Sequence, residues 1–219
     1  MRRHHADARP GQDPGGAEHR HRRARPDGGA VLAEDRFTEI LARIAAPTPS
    51  PGGGSAAALS CALAAALVEM VAGFGTGEPA RELADAAGEL HGRCTELAER
   101  DLESYAAVLN ALARAAEDPD RPAALAGALS AACEVPLAIA QTARDTCALA
   151  ARAADGASRW LAGDAATAAV LAHGACRAAA GLVEANLRNL TDERPGRAAQ
   201  YVAEAEVACQ HALSLATES

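Results

Sequence analysis

From Val31 to the C-terminus, apolar residues recur at helical spacing and are interrupted by Pro and Gly, the pattern of helices joined by short turns. The first helix is expected over about 31–46, with Phe37, Ile40, Leu41 and Ile44 on one face. The second is expected over about 54–74. It is apolar almost throughout from Ala56 to Val71 and must be buried on most sides, and Gly73, Gly75 and Gly77 mark its end. The third runs from about Pro79 to Glu117, a length that leaves room for an internal break. Asp118-Pro-Asp-Arg-Pro122 turns the chain into a fourth helix reaching about Ala154. Pro136 should kink that helix, because proline lacks an N–H and its ring collides with the preceding turn. The fifth begins near Gly163-Asp164 and ends near Asp192. A sixth, amphipathic helix follows Pro195-Gly196, with Val202, Val207 and Leu213 among its apolar positions. Six helices with short connections make an all-α, up-and-down bundle.

Composition supports that fold class. Hydrophobic residues make up 49% of the chain but aromatics only 2%, so the core must be built from Ala, Leu and Val. Ala is the strongest helix former, and the β-branched and aromatic residues that favour strands do not cluster. Residues 1–30 differ from the rest. They are rich in Arg, His, Gly and Pro, lack apolar periodicity, and read as a disordered basic tail ahead of a helical domain over 31–219. The pairs His4-His5 and His19-x-His21 carry no functional weight.

Charge and cysteine usage narrow the function. The net charge of −8 conceals a tail with seven Arg and four acids, which leaves 14 basic and 25 acidic residues in the body. An acidic body argues against nucleic acid as the main partner. All 21 basic residues are Arg, which excludes a catalytic lysine or Schiff base. No run reaches about 18 uninterrupted apolar residues, and the start lacks the apolar stretch of a secretory signal, so a cytoplasmic protein without a membrane partner is expected. Cys61, Cys94, Cys133, Cys147, Cys176 and Cys209 form no C-x-x-C pair and read as reduced, small apolar residues. His91 and His173 lack partners at a metal-binding spacing, and no metal site is expected.

The motif that stands out is Pro49-Ser-Pro-Gly-Gly-Gly-Ser-Ala-Ala-Ala58. Gly52, Gly53 and Gly54 either make a tight turn before a buried helix or let a ligand approach the main chain. Ser55 then caps or opens a helix whose free N–H groups suit an anion or an electron-rich edge. The Gly-Lys-Ser/Thr of a nucleotide-binding P-loop is absent. Asp101 and Tyr105, four residues apart, share a helix face and could together stabilise positive charge and shuttle a proton; the alternative is a surface Asp beside a semi-buried Tyr. Asp164, between Gly and an apolar helix, reads first as an N-cap. Asn186 either hydrogen-bonds a heterocyclic edge or cross-links helices.

Bundle geometry relates these residues. In antiparallel neighbours, residues equidistant from their shared turn lie at one height. Turning near Gly77 pairs Gly54 with about residue 100, beside Asp101; turning near Pro119 pairs Asp101 with about 137, beside Pro136; turning near Arg159 pairs 137 with about 181, close to Asn186. These groups should therefore share one level. Asp164 should not, because it lies about 33 Å from Asn186 along a straight helix.

The glycine motif, followed by an apolar helix ending in Glu69-Met70-Val71, resembles the signature of the cyclodeaminase/cyclohydrolase family, with the likeness continuing through Asp101-x-x-x-Tyr105, Val135-Pro-Leu137, Asp164 and Asn186-Leu-x-x-Leu190. Three departures stand out: Thr76-Gly-Glu-Pro-Ala-Arg81 where the family usually has lysines, Gly163-Asp164 for its Ser-Asp, and Leu182 for an Asn. The resemblance implies a homodimeric enzyme acting on one-carbon units carried by tetrahydrofolate. The expected reaction is hydrolysis of 5,10-methenyltetrahydrofolate to 10-formyltetrahydrofolate. The alternatives are cyclodeamination of 5-formiminotetrahydrofolate, which releases ammonia, and a non-catalytic folate-binding scaffold. A chain of 219 residues leaves no room for an added formiminotransferase domain. The implied catalytic residues are Asp101 and Tyr105, with Gly52, Gly53, Gly54, Ser55, Asp164 and Asn186 binding a folate substrate and no further cofactor required.

Overall fold

The computed structural model describes residues 36–188 and 190–218, all-α with no strand among them; the basic tail, the start of the expected first helix and Asn189 lie outside. Seven helices follow one another: α1 (Phe37–Ala45), α2 (Gly53–Gly73), α3 (Glu78–Leu112), α4 (Arg121–Ala132), α5 (Glu134–Gly156), α6 (Ala162–Leu187) and α7 (Arg194–Glu218). Five agree with the expected pattern to within a few residues at their described ends. The expected break in the third helix does not occur, as α3 is continuous over 35 residues.

The expected fourth helix is two helices that meet at Cys133. Pro136 cannot donate the bond that would join its turn to the carbonyl of Ala132, and its ring would collide with that carbonyl, so α4 stops there. The result is a break rather than a gentle kink.

α5 occupies the centre of the bundle, packed against α2, α3, α6 and α7, while α2 is flanked by α3 and α6. The buried set is dominated by Ala, and its largest fully buried apolar side chains are Leu97, Ile139, Leu187, Val68 and Val183. No aromatic residue is buried; Phe37, Phe74, Tyr105 and Trp160 are all exposed. An Ala contributes little apolar area by itself, so the stability of this core comes from many close helix–helix contacts rather than a few large side chains.

All six cysteines are free and buried. Burial pushes the Cys147 and Cys176 thiols up to about 12, so both are neutral thiols at physiological pH. The Cys176 thiol donates to the Ala140 carbonyl at 3.3 Å.

By length and composition α2, the α4–α5 stretch and α6 are apolar enough to cross a membrane, although Ser60 and Glu69 interrupt the longest apolar run in α2. Inside the bundle, 50% of the α2 stretch, 39% of the α4–α5 stretch and 44% of the α6 stretch are buried.

Candidate functional site

The amino end of α2 leaves backbone N–H groups without helical partners, as every helix start does. Here a side chain from another helix satisfies one of them. Gly52 is the N-cap and α2 begins at Gly53, so Ser55 occupies the third helical position rather than the cap itself. The Asp101 carboxylate, reaching across from α3, accepts the Ser55 backbone N–H at 2.8 Å and lies 2.9 Å from the Ser55 hydroxyl, both at Oδ2. That hydroxyl is fully buried and also sits 3.2 Å from the Ala98 carbonyl. Asp101 is thus an N-cap supplied in trans, with its charge at the positive end of the α2 dipole.

Gly54 explains why a glycine precedes Ser55. A Cβ at this position would lie only 2.7 Å from Asp101 Oδ2 and closer still to the other carboxyl atoms, so only glycine admits the carboxylate. Positive φ is not the reason. Among the described glycines only Gly77, in the turn before α3, has positive φ, at 85°. At the α2 terminus that the sequence offered to an anionic ligand, the Ser55 N–H is therefore taken by Asp101. Burial raises the Asp101 pKa above its ordinary value, while the two hydrogen bonds from Ser55 oppose the rise without cancelling it.

Beside this contact lies a cavity of about 210 Å³. Its lining joins four elements: Pro49, Ser50, Gly52, Gly53 and Gly54 from the loop and the start of α2; Asp101, Ser104 and Tyr105 from α3; Ala132 and Pro136 from the α4–α5 break; Leu182 and Asn186 from α6. The volume falls below the ~300–1,000 Å³ typical of sites that enclose a whole drug-sized ligand, and suits one ring system with the rest of the molecule outside. Among the described residues no group donates to Asp101 Oδ1, on a side chain that borders the cavity. Tyr105 is about one-third exposed and sits one turn further along the same helix.

The glycines, Asp101, Tyr105, Pro136 and Asn186 all meet at this cavity. Ser55 lies behind the wall, where it orients Asp101 instead of lining the cavity. Asp164 is at the opposite end of α6 and is not its N-cap: Leu161 is, and Asp164 stands in the first turn, its N–H bonded to the Leu161 carbonyl at 3.1 Å. The chain enters α6 through a turn over Ser158–Leu161, so the helix begins earlier than the Gly-Asp pair suggests.

Pro49 and Ser50 of the glycine motif also line the cavity, as do Ser104 and Ala132, which were not singled out from the sequence. Ser104 could have been, since it lies three residues after Asp101, on the same face of the helix; its hydroxyl donates to the Asp101 carbonyl at 3.1 Å. Leu182, noted as a departure, lies against Gly53, with its methyl carbons 3.7 and 3.8 Å from where a Cβ would stand.

A helical bundle with this loop, carboxylate and cavity defines a class, and residues 36–206 match the formiminotransferase-cyclodeaminase family model: the chain belongs to that family. It is 31% identical over 174 residues to the methenyltetrahydrofolate cyclohydrolase of Methylorubrum extorquens, covering 74% of this chain and 84% of that one. Its fold matches the crystal structure of formiminotetrahydrofolate cyclodeaminase from Thermotoga maritima with a TM-score of 0.75, at 24% identity, over 85% of this chain and 98% of that one.

Proposed function

We propose that this protein is a folate one-carbon enzyme that hydrolyses 5,10-methenyltetrahydrofolate to 10-formyltetrahydrofolate. The observation that carries the reading is the Asp101 carboxylate, with Oδ2 bound to Ser55 and Oδ1 without a donor among the described residues, beside a cavity sized for one ring system. The methenyl bridge is an amidinium-like cation, and a fixed carboxylate beside it stabilises both the charge and the transition state as water adds. Water attacks the bridge carbon and loses one proton; the resulting hydroxyl loses the other as it becomes the formyl carbonyl, the bond from that carbon to N5 breaks, and N5 takes up a proton, so one proton is released overall. Asp101 and Tyr105 are the groups placed to move those protons. Gly52, Gly53, Gly54 and Asn186 border the ring, and no resident cofactor is needed for this chemistry. The cyclohydrolase relative favours this direction over cyclodeamination.

The enzyme is proposed to be a cytoplasmic homodimer without nucleic-acid or membrane partners. α2 and α6 lie side by side with α5 behind both, and their outer faces expose Leu63, Met70, Phe74 and Val170, an apolar surface suited to a second copy. Sedimentation should give twice the 22.2 kDa chain mass, and Leu63→Glu with Met70→Glu should give the monomer. The reaction is tested by adding purified protein to methenyltetrahydrofolate and following loss of its near-UV absorbance. A rate no faster than buffer alone would sink the assignment. Ammonia release from 5-formiminotetrahydrofolate would then identify the cyclodeaminase, and folate binding without either reaction would identify a scaffold.

A further inference from the structure

The walls of the cavity are not equally supported. Gly54 and Asp101 lock α2 to α3 directly, but the opposite wall contains a discontinuity. Ala132 ends α4 and Pro136 lies in the first turn of α5, with only Cys133 between the two helices. No helical hydrogen bond from residue 136 spans this break, so α4 and α5 could hinge there. The remaining wall, Leu182 and Asn186, lies at the end of α6, just before the connection to α7.

One side chain joins all of these pieces. Arg194, at the start of α7, is largely buried, with its side chain 13% exposed. Nη1 donates to the Ser130 carbonyl at 2.8 Å and to Glu134 Oε1 at 2.5 Å; Nη2 donates to Ser130 Oγ at 2.7 Å and to Asp192 Oδ2 at 2.6 Å; Nε donates to Asp192 Oδ1 at 2.9 Å. All five guanidinium N–H groups are engaged. Ser130 lies in the last turn of α4 and Glu134 is the first residue of α5, so the guanidinium spans the break. Asp192 belongs to the α6–α7 connection, so the same group ties the break to the end of α6. Beneath it Cys133, Leu137, Val183, Leu187 and Ala198 form a small core of their own. Arg194 itself does not line the cavity.

We propose that Arg194 is a positioning residue for the active site: it holds the α4–α5 break and the end of α6 at a fixed separation, and so sets the distance from the Ala132/Pro136/Asn186 wall to Asp101. The inference rests on the folate reading for its activity measurement, though not for its structural one. A lysine keeps the charge but offers three donors in no fixed plane, and cannot cover five acceptors on three segments.

The test compares wild type, Arg194→Lys and Arg144→Lys in the full chain. Arg144 is the control because it pairs with Glu204 at 2.8 Å, away from the cavity. With methenyltetrahydrofolate, Arg194→Lys should lower kcat by about 10²-fold, the effect expected of a misplacement near 1 Å, with a smaller change in KM. Arg144→Lys should leave kcat within a factor of ~3 at a similar loss of Tm. Hydrogen exchange should accelerate in Arg194→Lys at 130–137 and 182–187 while the amide of Ser55 stays protected. Turnover at the wild-type rate, or unchanged exchange in those two segments, would overturn the proposal. If the wild type has no activity, the folate reading fails by itself and the exchange result alone decides the clamp. Should Arg194→Lys not fold, Ser130→Ala removes one acceptor and Glu134→Gln removes the charge of another, and both carry the same test in smaller steps.

Discussion

The two ends of the bundle are made from the same materials, glycine-rich connections with an acidic residue near a helix start, yet the cavity beside Asp101 belongs to one of them. At the far end, Gly73 to Gly77 turn α2 into α3, and Asp164 sits in the first turn of its own helix, α6. The turn and the acidic residue there act within their own segments, and a surface pair, His211 Nε2 with Asp155 Oδ1 at 2.7 Å, links the ends of α7 and α5. At the near end the contacts cross between helices. Asp101 of α3 completes the start of α2, Arg194 of α7 joins α4 to α5, and the proline break interrupts an otherwise continuous wall. A carboxylate that caps its own helix spends its charge locally. One that caps a neighbour stands at the seam between the two, and there Asp101 borders the cavity.

The sharpest way to break the comparison is at that seam. Asp101→Asn keeps the shape and removes the charge, so kcat should fall by roughly 10²–10³, with little change in helical circular dichroism. Gly54→Ala should lose turnover to a similar degree, because the added Cβ displaces the carboxylate without touching Asp101's identity. Wild-type turnover in both variants would reduce the near end to another turn. A pH profile sharpens the point. The burial-raised pKa of Asp101 places the acid limb of kcat/KM above 3.8, the ordinary carboxylate value.

At the far end the effects should be on stability only. Gly77→Ala forces a side chain into positive φ and should cost about 1–2 kcal/mol in thermal unfolding, with kcat unchanged. Asp164→Asn should cost less, roughly 0.3–1 kcal/mol, the value of a charge at a helix start. Loss of activity in Asp164→Asn would put the site at the wrong end. The smallest effect at neutral pH belongs to Asp192, held down to about 2 chiefly by its hydrogen bonds from Arg194. Its folded pKa is below the ordinary 3.8, so its contribution is present above that value and lost as the pH falls towards about 2. Asp192→Asn should lower stability modestly across the neutral range and remove this portion of the acid-induced loss, so that variant and wild type converge as the pH falls towards about 2.

Much of this was legible from residue order. Apolar spacing with Pro and Gly punctuation located the helices, and counting from turns brought Gly54, Asp101, Pro136 and Asn186 to one level. What escaped were contacts between residues far apart in sequence. Arg194 and Ser130 are 64 positions apart, and nothing in either local pattern announces the other. The meaning of Gly54 escaped for the same reason: a glycine required by a side chain 47 positions away looks, in sequence, like one required by a turn. The split at Cys133 was read only as a kink because a proline early in a new helix and one inside an old helix are spelled alike.

The placement of the single tryptophan has an optical consequence. Trp160 is 77% exposed, stacked under Arg159 with 4.1 Å from the guanidinium carbon to the ring centroid, and stands just ahead of α6, while the cavity lies near that helix's other end. Filling the cavity leaves the indole's immediate surroundings unchanged, so its emission maximum should stay fixed during a folate titration and remain accessible to a soluble quencher such as iodide. A shift that instead follows protein concentration would identify the indole as a gauge of how the copies meet.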